Sequence, residues 1–281
     1  VKPRFLFFLG AGWCATHPMW RTIKDHVETG LTRELHYPFS CPDGVEGYVN
    51  YYKSLNSSLV GDFSNTNYYL DDDVFDRYIT ALQKEFDVFF ILITRDPVRR
   101  CWSEFGFKYC QSKDLQEEFG NIDLYMTQYC LWWKSYTATI ERAQKYAPCH
   151  VFVSEEMWRD TMQKDLRRME SVLGLKYGTL KSWHPNVYFP ERGIRPIKHI
   201  DLPDQYNSDI IELTHKRYGV YQKLLKPHYK SWQKMFGSLP YSWRKMIDYE
   251  YNQSLPITIG KEHLVPGSYI ERDGKLFIPK V

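Results

Sequence analysis

The 281-residue sequence predicts an α/β fold of three layers, a central parallel sheet flanked by helices, with a small β-rich appendage at its C-terminal end. Three observations predict it. Short apolar runs recur at Phe5–Leu9, Val88–Thr94 and His150–Val153, each followed by residues of turn or helix-start character. Longer segments of helical period separate them, as crossover connections between parallel strands require. In the tail, "YIERDGKLFIPKV" sets Asp273-Gly274 between alternating apolar residues, a two-residue hairpin signal, and divides the chain into residues 1–236 and 237–281.

Taken in order, Phe5–Leu9 is a buried strand that breaks at Gly10 into the small-residue loop "GAGWCATH" and resumes as a helix over Met19–Val27. Asp72–Phe86 is the next helix, and Val88–Thr94 the next strand. That strand ends in Arg95-Asp96-Pro97, where the proline suits the first turn of a helix over Val98–Lys108. A long aromatic helix near Ile122–Tyr146 leads to the strand His150–Val153. Over Asp160–Leu173, Met162, Leu166, Met169, Val172 and Leu173 share one face, and Gly174 is a natural C-cap. Residues 176–203 carry four prolines and little periodicity, an irregular loop expected to cover a site. Leu202-Pro203 then signals a helix over Asp204–Leu225.

Composition bounds the function. A net charge of +3, from 37 basic and 34 acidic residues, argues against a general nucleic-acid coat, so anion specificity has to be local. Six cysteines without a Cys-x-x-Cys pair give neither a zinc knuckle nor a dithiol motif, and read as thiols in a reducing compartment. No apolar stretch approaches the length of a membrane span. The expectation is a soluble cytoplasmic chain, the alternative a lumenal domain whose anchor lies upstream of Val1.

Two segments carry phosphate chemistry. In "FLGAGWCATHPMW", Gly10 and Gly12 permit backbone angles that turn successive N–H groups outward, and Ala15-Thr16-His17 lead into a helix whose positive end faces the loop. Alone, this is equally a strand-to-helix turn with glycines for packing. No Lys-Ser or Lys-Thr follows, so the nucleoside triphosphate loop pattern fails, which disfavours a kinase. The second segment, "VFFILITRDPVRRCWSEF", leaves Arg95 at the carboxyl end of a strand, where ligands of open α/β sheets bind, with Ser103 two helical turns on. A guanidinium and a hydroxyl suit one phosphate.

These residues resemble a family. "TRDPVRRCWSEF" is similar to the 3′-phosphate-binding motif of sulfotransferases, Arg-Asp-Pro-Val-x-Arg-x-x-Ser-x-Tyr/Phe, matching at Arg95, Asp96, Pro97, Val98, Arg100, Ser103 and Phe105. The opening loop stands where the family has its 5′-phosphosulfate loop, Gly-x-x-Lys-x-Gly-Thr-Thr, with Gly10 and Thr16 in register. "TRELHYPF", "VGDFSNTNYYL" and "VSEEMWRDTMQKDLRRMESVLGLK" resemble further family segments in the same order, the first of them as found in the carbohydrate, heparan-type members. "PERGIRPIKH" resembles that group's Lys-Gly-Arg loop. The resemblance runs from about residue 4 to 235.

It implies a P-loop-like fold and transfer of a sulfuryl group from 3′-phosphoadenylyl sulfate (PAPS) to a hydroxyl or amine, with 3′-phosphoadenosine 5′-phosphate (PAP) as product and no metal. The acceptor is a glycan or a small molecule. Nucleotide-binding residues are then Gly10, Ala11, Gly12, Trp13, Cys14, Ala15, Thr16, His17, Arg95, Ser103, Arg192, Gly193 and Arg195; Glu34 is the general base, with Arg33 and His17 as catalytic cations. His36 either shapes the acceptor site or packs. The sequence departs from the pattern at Trp13, where the family has its loop lysine, at Ala15, where the motif has its last glycine, and at Phe63, where a basic residue occurs. Loss of such a charged donor costs about 3–4 kcal/mol in the transition state unless another cation, Arg33, His17 or Arg21, serves instead. A catalytically silent nucleotide binder is the alternative reading.

Overall fold

The computed structural model describes residues 1–32, 34–106, 113–132, 134–157, 162–183, 210–211, 215–248, 270–272 and 275–279. They fall into two compact units, Val1–Arg95 with Lys134–Pro185, and Asp96–Trp133 with Asn186–Val281.

The first unit holds the central sheet: β1 (Arg4–Phe8), β2 (Leu59–Asp62), β3 (Asp87–Thr94) and β4 (Cys149–Val153), all parallel, in the order β2-β1-β3-β4. The register sets Phe7 between Asp62 and Phe90. Residues 88–94 of β3 and 5–8 of β1 are buried, as strands covered on both faces must be. The helices of this unit are α1 (Thr16–Ile23), α2 (Tyr37–Ser40), α3 (Val45–Ser54), α4 (Asp72–Glu85), α8 (Tyr136–Gln144) and α9 (Met162–Leu173). On α4 a helical period of Val74, Phe75, Tyr78, Ile79 and Leu82 turns inward. Phe75 stacks on Phe90 across the sheet face, with ring centroids 5.8 Å apart. Phe5 meets Tyr52 and Phe86 edge-on at 4.8 and 5.3 Å. Each such ring contributes about 1.5–3 kcal/mol by leaving water.

The three anticipated strands are present, and β2 joins them unannounced. Its four residues, Leu-Val-Gly-Asp, carry no alternation; Gly61 is there because a Cβ would lie 2.9 Å from Val27 Cγ1 and 3.2 Å from the Leu6 carbonyl oxygen. Helix α1 begins at Thr16 rather than Met19 and stops at Ile23. At the end of α9, the N–H of Gly174 (φ +72°) bonds Ser171 O at 3.2 Å and that of Leu175 bonds Glu170 O at 2.8 Å, a Schellman closure that bears out the C-cap.

The second unit contains α5 (Pro97–Cys101), α6 (Lys113–Phe119), α7 (Ile122–Trp132), α10 (His215–Leu224), α11 (Lys226–Phe236) and α12 (Tyr241–Asp248). Its antiparallel sheet has the order β5-β7-β6, from β5 (Ile210–Ile211), β6 (Ile270–Arg272) and β7 (Lys275–Pro279). The strands on either side of Asp273-Gly274 pair antiparallel, with Arg272 opposite Lys275, as the expected hairpin requires; those two residues lie outside the described residues. The tail also carries the helix α12, and its strand β7 pairs with Ile210–Ile211.

Other expectations are corrected. The single helix over Ile122–Tyr146 is two, α7 and α8, because Ser135 takes an extended conformation (ψ 137°) at the start of α8, and its carbonyl accepts the Thr139 N–H. The helix over Val98–Lys108 stops at Cys101 and opens into a π-helical turn, Trp102–Gly106. Of the helix expected over Asp204–Leu225, His215–Leu224 is helical while Ile210–Ile211 is β5, paired with β7; residues 204–209 and 212–214 lie outside the described residues. Most of the proline-bearing loop, residues 184–203, lies outside the described residues.

Candidate functional site

Strand β1 lies between β2 and β3, so the chain leaves it toward one side of the sheet for β2 and returns on the other for β3. Such a switch in strand order opens a crevice at the carboxyl ends of the two strands. The loops that follow β1 and β3 start there.

The β1 loop is an extension of the ladder before it is a turn. Leu9 N–H bonds Ile91 O at 2.9 Å, Ile93 N–H bonds Gly10 O at 2.8 Å, and Ala11 N–H bonds Ile93 O at 3.1 Å. The Ala11 N–H therefore faces β3. Gly10 (φ +85°) is required, since a Cβ would come within 3.0 Å of Asn65 O. Trp13 and Ala15 both adopt left-handed backbone (φ +66°), a geometry of the kind that curls successive N–H groups into an anion cradle. Ala15 is the N-cap of α1 and supplies no side-chain acceptor to the helix start. Thr16, the first helical residue, and His17 are half-buried; the His17 ring lies 5.9 Å from that of Trp20.

Arg95 follows β3 and is 7 % exposed. Its Nη1 donates to Trp13 O at 3.1 Å, so the arginine of the second segment clasps the backbone of the first. Tyr136, the first residue of α8, braces both: its hydroxyl donates to Arg95 O at 3.0 Å, accepts from Arg95 N–H at 3.2 Å, and lies 3.5 Å from Cys14 Sγ. No motif pointed to Tyr136.

A second group surrounds Glu34. Its side chain is 14 % exposed and Oε2 is 3.2 Å from His36 Nε2. The other ring nitrogen, Nδ1, is 2.9 Å from Thr66 Oγ1. His36 holds a left-handed backbone (φ +52°), and its N–H donates to Ser64 Oγ at 2.7 Å. Ser64 donates both its N–H (2.8 Å) and its hydroxyl to Asp62 Oδ1. Asp62 is fully buried at the end of β2 and accepts from Tyr48 Oη at 2.7 Å and from Asn67 Nδ2 at 3.4 Å. Burial and the Asp62 carboxylate push the Tyr48 phenol well up, so it stays a donor. Asn67 Nδ2 also bonds Phe8 O at 3.1 Å, which ties the turn Asn65–Tyr69 to the end of β1. Residues 34–36 are neither helix nor strand and run into α2.

The structure thus brings Gly10–His17 together with Arg95, and sets Asn65, the neighbour of Thr66, against Gly10. Phe63, read against a basic family residue, is buried and stacks on Phe8 at 5.3 Å. Ser103 lies in the second unit, 2 % exposed in the π-helical turn, where Arg100 pairs with Glu104 at 3.3 Å. There Asp96 caps α5 by accepting the Arg99 N–H at 3.0 Å, and accepts Tyr218 and Tyr229 hydroxyls at 3.1 and 2.8 Å. Arg33, Arg192, Gly193 and Arg195 lie outside the described residues. Asp62, Ser64, Thr66 and Tyr136 were missed as site residues. The first three stand within a segment whose resemblance was noted, so a signal existed for them.

No protein-family model matches the chain, and no curated protein matches it. Among the described residues no group of His, Cys, Asp and Glu is arranged to hold a metal, and no helix is long and apolar enough to cross a membrane.

Proposed function

We propose that the protein is a sulfotransferase that moves a sulfuryl group from PAPS to a hydroxyl or amine acceptor, with a carbohydrate as the acceptor class. One observation carries the reading: the two segments that resemble the family's nucleotide loops follow adjacent parallel strands at the switch point, joined by the Arg95–Trp13 bond. In this reading the left-handed turn at Trp13 and Ala15 and the positive end of α1 hold the 5′-phosphosulfate, and Arg95 serves the 3′-phosphate. Positioning and charge stabilisation supply most of the rate, and Glu34 receives the acceptor proton. A cytoplasmic location belongs to the same reading; among the described residues, Cys14, Cys41, Cys101, Cys130 and Cys149 form no disulfide.

Thermal shift with PAP against Mg²⁺-ATP tests the nucleotide, with a larger rise expected for PAP. A preference for Mg²⁺-ATP overturns the proposal. Transfer of labelled sulfate to a panel of glycans and phenols tests the chemistry, and Glu34→Gln is expected to keep PAP binding while losing transfer. A second reading, a nucleotide binder without catalysis, is favoured by Phe63, which is buried against Phe8 at a position where the family segment it resembles has a basic residue. PAP binding without transfer to any acceptor selects it.

A further inference from the structure

Charge is unevenly spread along the chain. Residues 213–247 hold eight of the 37 basic residues and none of the 34 acidic ones, so the remainder is acidic on balance although the whole carries only +3. This stretch forms α10, α11 and the start of α12, all in the second unit. Arg217 is held by Asp123, with Nε 2.9 Å from Oδ1. Lys223 at the end of α10 and Lys226, Lys230 and Lys234 on α11 are exposed, and among the described residues none of the four pairs with a carboxylate. Steps of four residues set the last three along one side of α11, about 6 Å apart on its axis. The other side of the helix is anchored by the buried Tyr229 and Trp232.

The ridge ends in an aromatic tip. Helix α11 closes on Gly237, whose left-handed conformation (φ +77°) turns its N–H back to Gln233 O at 2.8 Å, and α12 begins at Tyr241. Phe236 and Tyr241, on either side of this turn, are 44 % and 55 % exposed. Phe236 packs on Trp232 at 4.4 Å and Trp232 on Trp243 at 4.7 Å, which gives the tip a firm base. The exposed Arg244 lies with its guanidinium 5.9 Å from the Tyr241 ring, so cations flank the tip from both helices.

We propose that the turn between α11 and α12 docks on an anionic lipid surface. Phe236 and Tyr241 enter the boundary between headgroups and acyl chains, while Lys226, Lys230, Lys234 and Arg244 meet the anionic headgroups. Lysine stems reach along such a surface and keep the ammonium at headgroup level. The composition favours lipid over nucleic acid. Six of the eight basic residues are lysines, point charges suited to a diffuse anionic field, and of the two arginines, whose planar fork suits bidentate phosphate recognition, Arg217 is already taken by Asp123. The Phe236 ring has no polar atom and gains by leaving water, which a lipid boundary provides together with the charge. The surface stands independently of the sulfotransferase reading and needs no helix that crosses a membrane.

Flotation of the full chain with vesicles tests the proposal. Wild type is expected to float with phosphatidylcholine vesicles that contain phosphatidylserine, to stay behind with phosphatidylcholine alone, and to be released as salt rises. Lys226→Glu, Lys230→Glu and Lys234→Glu combined are expected to weaken binding at least about tenfold. Phe236→Ala with Tyr241→Ser is expected to weaken it at low and high salt alike. These side chains are exposed, and a thermal melt of each variant checks its fold. Wild type that ignores phosphatidylserine vesicles, or that binds neutral ones equally well, overturns the proposal whatever the variants do. A folded lysine variant that binds like wild type removes the ridge, and a folded aromatic variant that does so removes the insertion of the tip. Retention of a polyuridylate strand by protein that binds no vesicle assigns the surface to nucleic acid and overturns the lipid assignment.

Discussion

Arg95 belongs at once to a motif and to a buried bond, and its replacement separates the two. Removing a charge-assisted hydrogen bond of this kind costs about 1.5–3 kcal/mol. Arg95→Ala is therefore expected to weaken PAP binding at least about tenfold in isothermal titration, and an unchanged Kd removes it from the site. Asp62 acts one step further back. Asp62→Ala leaves Tyr48 and Ser64 without their acceptor and Asn67 with only its Phe8 bond, and denaturant unfolding is expected to show a loss of about 3 kcal/mol. Arg95 was legible because a strand, a proline and a helix start fix its position from sequence alone. Tyr136 was not, because what it braces lies 41 and 122 residues away along the chain. The role of Phe63 inverts for the same reason: only the stacked Phe8 shows that a side chain compared with a cation is part of the core.

At the level of elements, β2 shows what periodicity leaves out. Four residues with a central glycine give no alternation, and their burial comes from Val27 and Leu6, which the sequence does not announce as neighbours. Gly61→Ala is expected to cost about 1–3 kcal/mol in Tm-derived stability through overpacking, despite alanine being the smallest change available. Helix α9 was legible down to its C-cap, and the turn after it supplies a pH dependence. Burial works against the Glu170 charge, but the N–H groups of Leu180 and Gly178 and the Arg167 guanidinium outweigh it, holding the carboxyl below its usual value of 4.5. A carboxylate lowered on folding contributes stability above its unfolded value and loses it as pH falls through the folded one. Glu170→Gln is therefore expected to be less stable than wild type at pH 7, by about 1–3 kcal/mol, with the gap closing in unfolding curves taken below about pH 4.5. A gap that stays constant into the acid range assigns the loss to packing instead.

On the scale of the whole molecule, the sequence carried the alternation of strand and helix, and with it the parallel sheet. It did not carry the order β2-β1-β3-β4, which depends on which strand pairs with which, nor the pairing of Ile210–Ile211 with β7, since a two-residue strand has no pattern of its own. The division of the chain at Arg95–Asp96 and again at Trp133–Lys134 was equally invisible, because no change of composition marks either point. The position of β1 also bears on synthesis. Its "RFLFF" run is completed on one side by Leu59–Asp62 and on the other only by Asp87–Thr94. At about 5–20 residues per second, a nascent chain holds that apolar strand with an open edge for roughly 5–15 seconds. For that interval the segment that later forms the floor of the crevice is an unpaired β-former with four consecutive apolar residues after Arg4, the kind of sequence on which strands of other chains add. The same centrality that lets β1 present a loop to both neighbours leaves one of its edges open until Asp87–Thr94 has been made, and makes it a point at which a holding chaperone would raise the yield of folded protein.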